Sequence, residues 1–551
     1  ELERVKAIQH SSTPGGDGLP MVLDVYVGAF LDVALNNNTE SLGVPLVEHR
    51  DVLHPTIISG FIRLGVGHVS LLLSETVDST PATKVTLASM NLANNTGDQH
   101  ISLTASTVVQ DDQRFINFTL SEQARVQALL ISGQRGGDGQ SMLLDIGINA
   151  IRDIAQNGNL QPVSLILEEF PDDIPPVVQK VEINYNTGVL KLFTNEIVDV
   201  TPTTLVNLSR ITISNVTDNG ILENAIFLTG SSVIALDSQV VTITLTEAQR
   251  VSAIKISGTA GGDGTGAKLN LGLNSILDFS LLGNIEALNL TMNETADITP
   301  MVIVKAEIKL GEGILFLQMN ETLHTDGLSK VDLSRIHISN DTLKAVSFDL
   351  SGSVSVSQNG TDGIKVLLTE EQRVQAMYYG NSSAAGDGVP AMIVIDPGAF
   401  FDVAGNPISS SVFSLREIPD KIKPFTFFPV IHYGNGSLVL EASETLDLTP
   451  LSMVNYSKVI IVLRGSYFRL AGATILEKDG IHAVLQVTES QRIHVLQYSN
   501  VFGSTSDTGL TVASPVYTAA QIYIESGAFY DIGSNPSQEF GPTALEQHVD
   551  T

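Results

Sequence analysis

The sequence predicts an all-β chain in which tandem β-sandwich domains form a rod, preceded by an incomplete half domain. Three observations predict it. Apolar and polar residues alternate in short runs rich in Val, Ile and Thr, such as Val189-Leu190-Lys191-Leu192-Phe193, Val241-Thr242-Ile243-Thr244-Leu245 and Leu438-Val439-Leu440-Glu441-Ala442. Runs of this kind, bounded by Gly, Asn and Asp, are strands with one buried face, and about seven of them in 120 residues suit a sandwich. The third observation is a domain-sized repeat, present as five second halves but only four first halves.

The second-half marker is an Arg phrase: Glu3-Arg4-Val5-Lys6-Ala7, Ala124-Arg125-Val126-Gln127-Ala128, Gln249-Arg250-Val251-Ser252-Ala253, Gln372-Arg373-Val374-Gln375-Ala376 and Gln491-Arg492-Ile493-His494-Val495. Its Arg positions are 121, 125, 123 and 119 residues apart, too long a period for a solenoid and right for a domain. A Gly-Asp-Gly turn follows at Gly16-Asp17-Gly18, Gly137-Asp138-Gly139, Gly262-Asp263-Gly264 and Gly386-Asp387-Gly388, weakening to Asp507-Thr508-Gly509. A further turn Asp recurs at Asp32, Asp153, Asp278, Asp402 and Asp531. The first-half marker is Ser74-Glu75-Thr76-Val77-Asp78-Ser79-Thr80-Pro81, then Asn195-Glu196-Ile197-Val198-Asp199-Val200-Thr201-Pro202, a degraded Asn320-Glu321-Thr322-Leu323-His324-Thr325-Asp326, and Ser443-Glu444-Thr445-Leu446-Asp447-Leu448-Thr449-Pro450.

Prolines following acidic residues mark the linkers, at Pro171-Asp172-Asp173-Ile174-Pro175-Pro176, Asp297-Ile298-Thr299-Pro300 and Pro419-Asp420-Lys421-Ile422-Lys423-Pro424, with His54-Pro55 at the first boundary. The domains are therefore 1–52 (half repeat), 53–173, 174–297, 298–422 and 423–551. Short proline-stiffened joints favour a semi-rigid rod. One helical turn is expected per repeat, at the Arg phrase, because Thr246 with Gln249, Thr369 with Gln372 and Thr488 with Gln491 have capping-box spacing.

Composition narrows the function classes. The 551 residues include 60 acidic and 30 basic side chains, a net charge of -30, and no Cys or Trp. Disulfides and cysteine-ligated metals are excluded, and the charge argues against nucleic-acid or anionic-membrane partners. No apolar run reaches the roughly 18 to 20 residues of a membrane helix. With 43% hydrophobic residues a core can form. The opening Glu1-Leu2-Glu3-Arg4 reads as a processed product or the ordered part of something longer.

The order of Ser-Glu-x-Val-Asp-x-Thr-Pro, strands, then Asp402-Val403-Ala404-Gly405-Asn406-Pro407 resembles the tandem bacterial Ig-like domains of S-layer proteins and large adhesins. The resemblance covers all four full repeats and implies Ig-like sandwiches. Its motifs are turn chemistry and speak to fold more than function. The Ala-Gly-Asn element decays to Ala155-Gln156-Asn157 and Ile532-Gly533-Ser534-Asn535, and the repeats run long for that family. The whole architecture also resembles extracellular fibril subunits built of Ig-like domains joined by donor-strand exchange.

In residues 1–52 only closing strands are expected, at Val5 to Ile8, Met21 to Val27 and Leu42 to Val47. Two or three strands alone are marginal, and their free edges invite pairing. Three readings compete: donation of a strand to a neighbouring copy by β-augmentation, docking on the domain at 53–173, or truncation of a longer array. Donation would use Val5, Ala7, Ile8, Met21, Leu23, Val25 and Val27, and a contact between unlike patches builds an open helical filament unless it closes a ring. The final repeat, whose closing strand is only Phe540-Gly541-Pro542-Thr543-Ala544-Leu545, is the candidate acceptor.

Asn-x-Ser/Thr sequons stand at Asn37, Asn94, Asn117, Asn207, Asn215, Asn289, Asn293, Asn320, Asn340, Asn359, Asn381, Asn435 and Asn455. These thirteen exceed the roughly six expected by chance, so N-linked glycans are expected. Recurring acids (Glu75 with Asp78, Glu196 with Asp199, Glu444 with Asp447, and the turn Asp series) offer oxygen ligands to calcium. Lacking D-x-D-x-D density, they argue against structural calcium, and the fixed Asp and Gly read as turn devices. The repeated Arg is expected to anchor the fold on a nearby carboxylate or carbonyl. No nucleophile elbow, P-loop, dinucleotide fingerprint or metal-spaced His pair is present, so no enzyme and no cofactor are expected. The sequence thus predicts a secreted glycoprotein that polymerises with itself into a pilus-like extracellular fibre. The alternative is a monomeric stalk of a surface adhesin or S-layer protein.

Overall fold

In the computed structural model the described residues are 1–216, 222–324, 331–356, 362–463, 466–476, 478–497 and 520–548. The chain is all-β, in two compact units, Glu1–Ala296 and Asp297–Thr551. The first unit opens with the half domain: helix α1 (Leu2–Gln9), then β1 (Val22–Val25) and β2 (Ser41–Pro45), paired antiparallel as a two-stranded sheet.

The first full repeat contains β3 (Ile57–Arg63), β4 (His68–Leu73), β5 (Met90–Asn94), β6 (His100–Ser102), β7 (Thr107–Val108), β8 (Phe115–Thr119), α2 (Glu122–Leu130), β9 (Met142–Ile146), β10 (Val163–Ile166) and β11 (Glu168–Phe170). Its strands make two sheets, β10-β9-β5-β6 and β11-β3-β4-β8-β7. Alternation buries every second residue: Val69, Leu71 and Leu73 of one sheet meet Met90, Leu92, Leu144 and Ile146 of the other in one core. The chain closes the sandwich by changing sheets. β10 pairs antiparallel with β9, buried Leu167 makes the crossing, and β11 pairs parallel with β3.

The other repeats share this plan. In the second, one strand, Ala287–Thr295, runs unbroken through both sheets, pairing with Lys268–Leu271 and, in parallel, with Val178–Asn184. In the third, Ser411–Ser414 and Arg416–Ile418 close the two sheets. In the fourth, Phe540–Ala544 pairs with Gln521–Ile524 and Glu546–His548 pairs parallel with Thr426–His432. In the final repeat, the candidate acceptor, the short, Pro-interrupted closing segment pairs in both sheets of its own domain.

The helix at the Arg phrase is longer than a single turn. α2 and its counterpart Glu247–Lys255 have nine residues each. Both capping-box bonds form at Thr246/Gln249 and at Thr369/Gln372. Gln249 also donates Nε2 to the carbonyls of Phe227 and Thr229, tying the helix to a core-edge loop.

Val5, Ala7 and Ile8 belong to α1 and make no strand, so they are not strand donors. They sit in the Arg phrase, which is helical in every repeat, and Val5 is buried. The weak turn at Asp507-Thr508-Gly509 lies outside the described residues.

Candidate functional site

The helix position places Arg4, Arg125 and Arg373 at the ends of their own domains, each facing the next. In the first unit, Arg125 donates Nε and Nη2 to Glu122 of its own helix, both at 2.7 Å, and Nη1 to the Leu64 carbonyl at 3.2 Å. The same guanidinium reaches the linker at Asp172, 2.7 Å away, and the next repeat at Glu196, 2.9 Å away. In the second unit Arg373 repeats the set: Glu370, Leu310 carbonyl, Asp420 at 2.7 Å and Glu444 at 3.1 Å. In the half domain, Arg4 bonds Glu1, Asp51 at 2.6 Å and Glu75 at 2.8 Å. The anchoring role expected of the Arg is therefore met, and at these three joints it extends to the neighbouring domain.

The helix acid completes the clasp by accepting a backbone N–H from the next repeat: Glu1 from Thr76, Glu122 from Ile197 and Glu370 from Thr445. Glycine makes the approach close enough. A Cβ on Gly15 would lie 1.9 Å from the Ile154 carbonyl oxygen, and one on Gly136 2.1 Å from that of Phe279.

A carboxylate triad is found four times among the described residues: Asp51–Glu75–Asp153, Asp172–Glu196–Asp278, Asp297–Glu321–Asp402 and Asp420–Glu444–Asp531; Arg4, Arg125 and Arg373 lie against the first, second and fourth. Each triad offers three oxygens within 4.8 Å of one another. The members come from the linker, the first-half marker and the turn Asp. Burial raises Glu196 to about 7 and Glu444 to about 8, against the pull of Arg125 and Arg373. Burial likewise raises Glu75, Asp153, Asp278, Asp402 and Asp531. Glu370 goes the other way: its burial is outweighed by Arg373 and the Thr445 N–H.

Of the weak calcium candidates, Glu75, Glu196 and Glu444 are in the triads. Asp78, Asp199 and Asp447 are not; Asp78 takes Lys84 Nζ, while Asp199 and Asp447 accept the N–H of Thr201 and Thr449 as turn devices. The linker Asp was missed. Its signal is spacing: Asp51, Asp172, Asp297 and Asp420 each precede the triad Glu by 24 residues.

The half domain shows its expected core pattern turned out to solvent. Leu23 is 46% exposed and Phe30 64%, while their counterparts one period on, Leu144 and Ile151, are fully buried. Leu23 and Val25 lie in β1 and Met21 just before it; Val27 follows it and is also exposed. Among the sequons, Asn37, Asn289, Asn293, Asn320, Asn381, Asn435 and Asn455 are exposed, and Asn117, Asn207, Asn215 and Asn340 are half-buried. Asn94 is a correction: it is buried, its Oδ1 accepting the N–H groups of Asp98 and Gln99 in a turn. Asn359 lies outside the described residues.

Compared with protein-family models and with curated proteins, the chain matches none. Similar solved structures include the I9–I11 tandem from titin, at 9% identity and TM-score 0.14, covering 66% of this chain and 99% of that one. A Dscam structure concerned with isoform specificity gives 8% and 0.15, covering 90% and 99%. The N-terminal part of the bacterial S-layer protein SbsC gives 12% and 0.15, covering 35% and 45%. At these scores the likenesses carry no argument about what this chain does.

Proposed function

We infer that the chain is an extracellular structural protein, a scaffold of tandem sandwiches, and that its half domain joins one copy to another so that copies polymerise into a fibre. The observation that carries this reading is the exposure of Leu23 and Phe30, set against the complete burial of Leu144 and Ile151 at the same places in a whole repeat. An apolar sheet face with two free edges gains by pairing with further strands. In the final repeat the closing strand Glu546–His548 is three residues long, an edge that an incoming strand can contest.

The test is light scattering and negative-stain microscopy of the full chain across concentration, beside a Leu23→Asp/Phe30→Asp variant. Filaments from the parent and monomers from the variant are expected. A parent that stays monomeric at every concentration overturns the reading.

A second reading, a stalk segment of a surface adhesin or S-layer protein, is favoured by one observation. Arg4 holds the half domain to its neighbour with the residue types that Arg125 uses between whole repeats. A half domain so held fits a continuing array whose own opening strands cover it. Isolated particles in the same micrographs support it.

A further inference from the structure

We propose that the triads Asp172–Glu196–Asp278 and Asp420–Glu444–Asp531 are calcium sites, one in each unit, that fasten the Arg-clasped joints. The proposal is independent of how copies join.

Three carboxylates alone would not carry it, since acids gather on many surfaces. What points to a ligand is a buried, unpartnered oxygen in each. Asp278 is 1% exposed, and its Oδ2 has no hydrogen-bond partner. Glu444 is 6% exposed, and its Oε1 has none. An uncompensated carboxylate oxygen away from water is costly, and these two belong to residues of clusters in which one oxygen from each member lies within 4.8 Å of the others.

The Asp278 orphan has a sequence cause. In the other repeats Oδ2 of the turn Asp accepts from the side-chain amide of an Asn four residues on: Asp153 from Asn157, Asp402 from Asn406 and Asp531 from Asn535. In the second repeat that position is Leu282, which supplies only its N–H, to Oδ1.

Charge points the same way. One guanidinium, Arg125, pairs with Glu122, Asp172 and Glu196, with Asp278 beside them in the triad, an excess of three negative charges when all four are ionised; Arg373 stands likewise with Glu370, Asp420 and Glu444, and with Asp531 beside them. The guanidinium uses only part of the acceptor capacity, since each carboxylate oxygen has two lone pairs. The donors are all oxygen, which selects a hard cation. Among these, calcium accepts six to eight ligands in irregular geometry, whereas magnesium keeps its waters and a strict octahedron, ill suited to a buried cluster with a guanidinium on one side.

The test uses the full chain, stripped with EDTA and titrated with calcium chloride, with bound metal counted by elemental analysis after equilibrium dialysis. At least two calcium ions per chain are expected, half-saturating at about 10⁻⁴–10⁻³ M, with a higher unfolding temperature than in EDTA. Asp278→Asn and Glu444→Gln should each lower the count by one, and Asp199→Asn should leave it unchanged. If Asp278→Asn fails to fold, Glu444→Gln and Asp531→Asn carry the measurement in the other unit. Fewer than two ions bound, an unchanged count in the folded triad variants, or equal uptake of magnesium at equal concentration overturns the proposal.

Discussion

Arg125 and Glu196 are 71 residues apart in sequence and belong to different domains, yet their side chains meet at 2.9 Å with each no more than 5% exposed. A surface ion pair contributes little, but a buried one cannot lose a partner without stranding the other.

Arg125→Ala should therefore destabilise the first unit by about 3–5 kcal/mol, read as the loss in urea-unfolding free energy. Arg125→Lys should recover only a part, because an ammonium lacks the planar fork that reaches Glu122, Asp172, Glu196 and the Leu64 carbonyl together. The exposed pair of Arg469 with Glu525 is the control, and its Ala variant should unfold like the parent.

Gly136 and Gly139 lie in the same turn at φ +89° and +83°, but only Gly136 faces a wall. Gly139→Ala meets open space and should cost about 1–2 kcal/mol for the left-handed backbone alone. Gly136→Ala adds a clash with the Phe279 carbonyl and should also open the joint. Proteolysis in the 171–177 linker, faster in Gly136→Ala than in Gly139→Ala, is the readout.

The helix cap and its glutamine should separate in size. Thr246→Ala removes a cap, about 1 kcal/mol. Gln249→Ala removes the reciprocal bond and also strips the donors from the Phe227 and Thr229 carbonyls. Leaving those acceptors unmade adds about 1–3 kcal/mol, so Gln249→Ala should have the lower unfolding midpoint of the two.

Glycans on material from its natural source should map to exposed sequons. Peptide mapping after deglycosylation is expected to find conversion at sites such as Asn293 and Asn435 and none at Asn94, whose side chain is enclosed by its own turn.

Strand alternation, turn chemistry and the capping boxes were legible because each is a local rule: Leu190 and Leu192 bury because they alternate, and Thr246 caps because Gln249 is three residues away. The joints were only half legible. Arg125 announced itself by recurring, and Glu196 by its motif, but Asp172 read as linker composition because its partners are distant in sequence and met only through the fold. Asp199 was the decoy, three residues from Glu196 and so on one strand with it, yet engaged in its own turn. Val5, Ala7 and Ile8 misled in the opposite way: apolar residues near a chain start resemble a strand, while the phrase they belong to is helical wherever it occurs.

The parallel pairing of the last strand of a repeat with its first has a mechanical consequence. Tension along the chain pulls β3 by its beginning and β11 by its end, and because the two run side by side in the same direction, the load falls along the strands. Their hydrogen bonds are then sheared together instead of being peeled one at a time, so each repeat resists extension where it is pulled.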